Sequence, residues 1–437
     1  MDTSKIKHKL SIEYIISLFK HYFRMVFDAG SLIISRASAS ALGFFYWVVA
    51  ARYYPQESVG LATAAISSML FLGEIGVFGL TSVLVGQLSR KNHKPSTLIS
   101  TALIVTIVTA GIPALLFGLI APKLSQDLGP ISSSIQNLIL YGIGVVATSA
   151  STILDFSTIG LERGELQLWR NISFAVVKLA VLVMAAAWLP SHKGMTIYGT
   201  WAAGSVFSML ILLVYSFSKG TRVSDLVPDF TLYKELRGLA VGHYALNLAA
   251  NIPGMLLPIL ITILLSVSAT ASFYVAWMIT SFFLFVPSSL AIALYAAAAK
   301  HPETGQSRMR FSILLSFAFG IVANIVVYFL AKPLLAIFGA IYVEQAETVL
   351  RILALAVFPH TILAHYVAKA RIQETANKAS PVIWLGAILQ LVFASVGAKL
   401  FSTIGFGIGW LIGLITVAMM IMPSVIRSVL LPQVNSN

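Results

Sequence analysis

The 437-residue chain contains no cysteine. That excludes disulfides, thiol chemistry and thiolate metal ligands, and it leaves the redox compartment unreadable. Charge is scarce as well, at 10% of residues. No G-x-x-x-x-G-K-[ST] loop is present, which removes phosphate-loop ATP hydrolysis. No H-E-x-x-H occurs either, so no metal centre is expected. A cleavable signal peptide is not apparent: the first long apolar run starts only near Ala29 and lacks a small-residue cleavage site after a short core. Acid is rarer than base, 16 residues against 29, for a net charge of +13. The excess does not point to nucleic acid, because the basic residues sit in short loops at alternate ends of apolar runs.

Those runs dominate what is there. The chain is 58% apolar with a mean hydropathy of +0.89, outside the usage of soluble globular proteins. A hydrocarbon core of about 30 Å is crossed by roughly 20 apolar helical residues. Runs of this kind fall near 29–51, 58–86, 97–120, 132–160, 167–189, 197–217, 237–265, 269–299, 308–331, 346–368, 380–399 and 404–427. The expected class is therefore an all-α polytopic membrane protein of about twelve transmembrane helices. Lys and Arg divide 21 to 5 between the two ends of these spans. By the positive-inside rule both termini lie in the cytoplasm, and the expected location is the cell inner (plasma) membrane. Residues 1–28 interleave Lys5, Lys7, Lys9, Lys20 and Arg24 with apolar side chains. They read either as a basic amphipathic segment on anionic membrane lipid or as an ordinary charged leader.

The hydropathy repeats. A shift of about 212 residues lays 29–51 on 241–263 and 58–86 on 270–298. Both halves start on the same side and hold six spans, so the repeat is parallel, about an axis along the membrane normal. The expected organisation is an N-terminal six-helix lobe at 29–217, a basic loop at 218–236, a C-terminal six-helix lobe at 237–430 and a tail at 431–437.

The first hairpin carries a pattern of its own. Ala51-Arg52-Tyr53-Tyr54-Pro55-Gln56-Glu57-Ser58-Val59-Gly60 follows the first span, Gly73-Glu74-Ile75-Gly76-Val77-Phe78-Gly79 ends the second, and Gly160-Leu161-Glu162-Arg163-Gly164 follows the fourth. Taken with twelve spans and 6+6 symmetry, these resemble the polysaccharide transporter family, which holds the O-antigen and related oligosaccharide flippases. That family shares a superfamily with the lipid II flippase and the multidrug and toxin extrusion transporters. The chain departs from the family pattern in having Tyr53 and Tyr54, and no glycine, before Pro55. The resemblance implies a multidrug-extrusion-like fold. It also implies movement of a polyprenyl-pyrophosphate-linked glycan from the inner to the outer leaflet for cell-surface polysaccharide assembly, alongside glycan polymerase or ligase machinery.

Intramembrane polar residues mark candidate sites, because each charge at depth costs at least about 2.5 kcal/mol. Arg36, on a face with Ser40 and Gly43, suits a pyrophosphate as a bidentate donor, or else snorkels to the interface. Lys178 and Arg351 are the other cations within spans, with the same two readings. Asp155 shares a face with Thr148, Ser151 and Thr152. His243, Asn247 and Asn251 recur at i, i+4 and i+8, followed by Pro253, Gly254 and Pro258, which predicts a bent or broken seventh span. These seven residues are the expected substrate contacts. Glu74 continues a heptad stripe with Gly60, Ser67 and Thr81; it is expected to bind a coupling H⁺ or Na⁺, or to form a structural ion pair. Arg52, at the hairpin corner, joins Glu74 as a coupling or gating candidate. No catalytic group and no cofactor are expected. An ion-coupled multidrug exporter of the same superfamily is the alternative, and short external loops leave little room for a membrane enzyme.

Overall fold

The structure, a computed structural model, describes residues 41–90, 94–189, 193–220, 222–231, 241–300 and 305–430. The leader, Arg36 and the tail at 431–437 lie outside the described residues. Among those described there is no strand. Helix α1 covers 41–53. It is followed by α2 Gln56–Val77, α3 Leu80–Arg90, α4 Pro95–Leu124, α5 Ile135–Gly160, α6 Gly164–Trp188 and α7 Gly194–Ser218. The second half holds α8 Val241–Leu264, α9 Val267–Lys300, α10 Gly305–Ala336, α11 Ala340–Ala354 and α12 Val357–Ile372. The last helical run, Ala376–Leu430, leaves helical geometry at Phe401 and Ser402. Its halves are α13 and α14, joined across the hairpin by Trp410 Nε1 donating to Gln390 Oε1 at 3.0 Å.

Each expected span finds a helix, a helix pair or, for the first, the described end of one. Among the described residues nine helices are long and apolar enough to cross a membrane, or ten if α11 and α12 form one bent span. Large apolar side chains cover the outside: Trp188, Phe329 and Phe401 are all more than two-thirds exposed. In water such a surface would aggregate; against lipid it is the expected one. The starts of α2, α4 and α6 recur 211, 210 and 212 residues later at α9, α10 and α13. The two pseudo-symmetric six-helix halves are thus present in the backbone.

Breaks in the helices have local causes. Pro55 sits at the N-cap of α2 and Glu57 puts an anion in its first turn, where the helix dipole favours it. The second span does not run unbroken to residue 86. Phe78 and Gly79 take positive φ of 46° and 74° and separate α2 from α3, four residues beyond Glu74. Span ten bends by 46° between α11 and α12. Pro359 lies in the first turn of α12, where a missing N–H is tolerated. The seventh span differs from expectation in the opposite sense. Pro253 and Pro258 lie inside α8, which stays helical through both. Each proline removes one backbone hydrogen bond, while packing along α13–α14 and α2 holds the remaining turns.

The lobes meet chiefly along α2, which packs against α8 and α9. Gly60 makes this possible, since a Cβ there would strike the Val267 carbonyl. Rings close the same junction: Trp47 lies 4.8 Å from Tyr274 and Phe44 lies 5.2 Å from Phe338.

Candidate functional site

Three groups of polar side chains interrupt this apolar body. The first is inside the N-terminal lobe. Helices α5 and α6 are joined by a three-residue turn in which Glu162 adopts a φ of 56°. Arg163 N then donates to Thr158 O at 2.8 Å. The tight turn makes the helices antiparallel, so residues equally far from it face each other. Asp155, five residues before the end of α5, therefore meets Arg170, six residues into α6. Arg170 Nε and Nη2 reach the two Asp155 carboxylate oxygens at 2.5 Å each. Arg170 also donates to Asn171 Oδ1 at 2.7 Å. Its side chain is 6% exposed, so Arg170 belongs to the lobe interior and not to the cytoplasmic loop cations. A buried pair of this kind adds little net stability, but removing one partner costs about 3–5 kcal/mol.

Above this pair lies a cavity of about 140 Å³. Thr148, Ser151 and Thr152 line it from α5, Arg170, Asn171 and Phe174 from α6, and Trp201 and Ser205 from α7. The Ser151 hydroxyl is buried and has no hydrogen-bond partner among the described residues, which leaves a donor and acceptor for whatever enters. Lys178 stands behind the aromatic wall. Its Nζ lies 3.7 Å from the Trp201 ring centre, 4.5 Å from Phe174 and 5.0 Å from Tyr46. Tyr46 is itself fixed by its hydroxyl donating to Ile197 O at 2.8 Å. Lys178 is 4% exposed, and among the described residues no carboxylate is within ion-pair distance of it. Cation–π contacts at a desolvated site supply about 2 kcal/mol. Those contacts offset only part of the cost of burying a charge, so the lobe keeps a buried amine without a countercharge among the described residues.

The second group lines the junction between lobes. Tyr244 OH donates to the Glu74 backbone oxygen at 2.8 Å. The half-buried Glu74 carboxylate has no hydrogen bond or ion pair among the described residues. On the far side, Arg371 Nη2 donates to Asn247 Oδ1 at 2.5 Å, and Asn251 Nδ2 donates to Asn247 O at 2.8 Å. His243 begins the same helix, with its side chain outside the described set. Arg351 lies apart from all of these, on the exposed face of α11, paired with Glu347 at 2.7 Å.

The third group closes one end. Arg52 Nε and Nη2 donate to Ile337 O and Ala336 O at 2.7 and 2.5 Å, placing a cation on the C-terminus of α10. Asp127 Oδ2 accepts from Val267 N at 3.0 Å, placing an anion on the N-terminus of α9. Both charges match the helix dipoles they meet. Gln56 Nε2 adds bonds to Ser268 O, Ser272 Oγ and Gln345 Oε1 at 3.0, 2.7 and 2.6 Å. Gln56 and Ser268 are 212 residues apart, so the repeat brings its own equivalent positions together. Among the described residues no hydrogen bond joins the lobes nearer the opposite, basic end than Tyr244 to Glu74.

Of the residues singled out in the sequence, Asp155 and Lys178 share one lobe interior, Asn247 and Asn251 share one helix face, and Arg52 bridges the lobes. Arg170, Arg371, Asp127 and Gln56 complete these groups without having been singled out. Only Arg170 had a legible signal, its mirror position to Asp155 across the Gly160–Gly164 turn.

No protein-family model matches the chain, and no curated protein matches its sequence. Its fold is nonetheless similar to solved structures. An inward-facing multidrug resistance MATE family transporter of the MOP superfamily aligns with a TM-score of 0.71 at 13% identity, covering 90% of this chain and 94% of that one. The lipid II flippase MurJ in an inward closed conformation aligns at 0.68 and 13%, covering 91% and 88%. A MOP superfamily transporter from Pyrococcus furiosus, described by the reverse polarity of its binding pocket, aligns at 0.62 and 13%, covering 91% and 94%. The chain thus has the multidrug-extrusion-like fold that its first hairpin suggests.

Proposed function

We propose that the protein is an alternating-access flippase that moves a polyprenyl-pyrophosphate-linked oligosaccharide from the inner to the outer leaflet of the cell membrane. Lobes 29–217 and 237–430 would rock about the 218–236 connection, whose Asp229 N is tied to Thr101 Oγ1 at 2.8 Å. With the basic end in the cytoplasm, the Arg52 end is the outer one, and its closure leaves substrate entry to the inner side. The observation that carries the substrate class is the uncompensated Lys178 behind an aromatic and hydroxyl-lined cavity. Aromatic faces, hydroxyls and a cation suit an anionic glycan headgroup, whereas an organic cation would meet rings already taken up by the Lys178 amine.

Glu74 favours the second reading, an ion-coupled multidrug exporter, because its carboxylate is unpaired among the described residues. Even in a flippase that carboxylate would serve coupling: a 100 mV potential supplies about 2.3 kcal/mol per elementary charge moved. The test is reconstitution of the full chain into vesicles holding the lipid-linked glycan. Wild-type protein should raise the fraction open to an impermeant glycosidase, and Lys178→Met should abolish the rise. Ethidium countertransport with no glycan movement would replace this reading with the exporter.

A further inference from the structure

We infer that Arg371 anchors a phosphate-binding site on the C-terminal lobe, where α8, α9 and α12 meet, and that this site takes the headgroup of a lipid phosphate or pyrophosphate. The inference rests on the flippase reading for the lipid's identity, but the site stands on its own geometry. Arg371 is half-buried on the last turn of α12, and it reaches across to α8. One guanidinium nitrogen is held by Asn247. Asn247 is a neutral acceptor, so the bond orients the guanidinium without neutralising it. No carboxylate stands within ion-pair distance among the described residues, which contrasts with Arg170 and Arg351, each paired with an acid. Beside it, Asn251 is exposed on the same face of α8.

A planar guanidinium with one nitrogen held presents its remaining N–H groups in a fork, the arrangement that grips two phosphate oxygens at once. Basic pockets between spans near the inner surface are where lipid headgroups are held. A lipid occupant keeps its tail in the bilayer while its phosphate meets Arg371, and Asn251 offers an amide to the next group along. Arg371 then holds the pyrophosphate on the C-terminal lobe while the glycan lies toward the cavity in front of Lys178 on the other.

Native mass spectrometry of the purified full chain tests this, with a polyprenyl pyrophosphate and phosphatidylglycerol as separate probes. Arg371→Gln should weaken polyprenyl pyrophosphate binding at least tenfold. Asn247→Asp, nearly isosteric, should do the same by giving Arg371 a countercharge, while the unfolding temperature holds or rises; this separates lost binding from lost fold. Arg310→Gln, an exposed cation on α10, should change nothing. Wild-type affinity in both Arg371→Gln and Asn247→Asp would overturn the inference and leave the flippase reading intact. Binding of phosphatidylglycerol alone, lost in the same two variants, would support the phosphate site and remove the lipid-linked glycan as its ligand. Binding of neither probe to the wild type would overturn both.

Discussion

Removing the two charges that cap helix ends across the lobe junction should open the Arg52 end. Arg52 meets the last carbonyls of α10, and Asp127 meets the first N–H of α9. A hydrogen bond to a charged group contributes about 1.5–3 kcal/mol when desolvated. Arg52 is exposed and Asp127 only partly buried, so solvent screening reduces each to about 1 kcal/mol. The Arg52→Ala/Asp127→Asn double variant should therefore shift the closed-to-open equilibrium by about 2 kcal/mol, roughly 30-fold. The absence of native cysteine allows spin labels at Tyr53→Cys and Glu344→Cys, both exposed and on opposite lobes at this end. Double electron–electron resonance should show one short distance in the parent. In the double variant a longer one should grow, and each single variant should give about half the free-energy change. An unchanged distance distribution would show that the Gln56 bonds and the packing between α2 and α9 close this end without the two charges.

Other substitutions probe the remaining groups. Asp155→Asn leaves Arg170 buried without a countercharge and should lower stability by about 3–5 kcal/mol in detergent unfolding, whereas Asp155→Leu/Arg170→Met should restore most of it. Gly60→Val forces a side chain into the Val267 carbonyl; the same spin pair should report lobes held apart, with about 1–3 kcal/mol of destabilisation. Glu74→Gln should preserve substrate binding but remove the dependence of transport on an imposed H⁺ or Na⁺ gradient. Retained dependence would return Glu74 to a structural role.

The spans and their repeat were legible because each is a local count of apolar residues, and the offset of about 212 survives in the helix starts. Breaks were less so. In the sequence Gly79 is one of several glycines at the end of the second span, and nothing there marks Phe78 for the left-handed region, while the prolines of α8 promise a break that lateral packing suppresses. Among the charge pairs only Asp155 with Arg170, across a tight turn, has a signal in the sequence, and the reading of the sequence left the two unpaired. Asp127 and Arg371 find their partners 140 and 124 residues away, a pairing that only the assembled lobes define. In the sequence Arg371 is one more loop cation.

Mass spectrometry of protein gently extracted from its own membrane identifies the substrate. A polyprenyl-pyrophosphate glycan should be bound to the wild type and absent from Lys178→Met. Bulk phospholipid alone, together with thermal stabilisation by organic cations, would contradict the flippase reading.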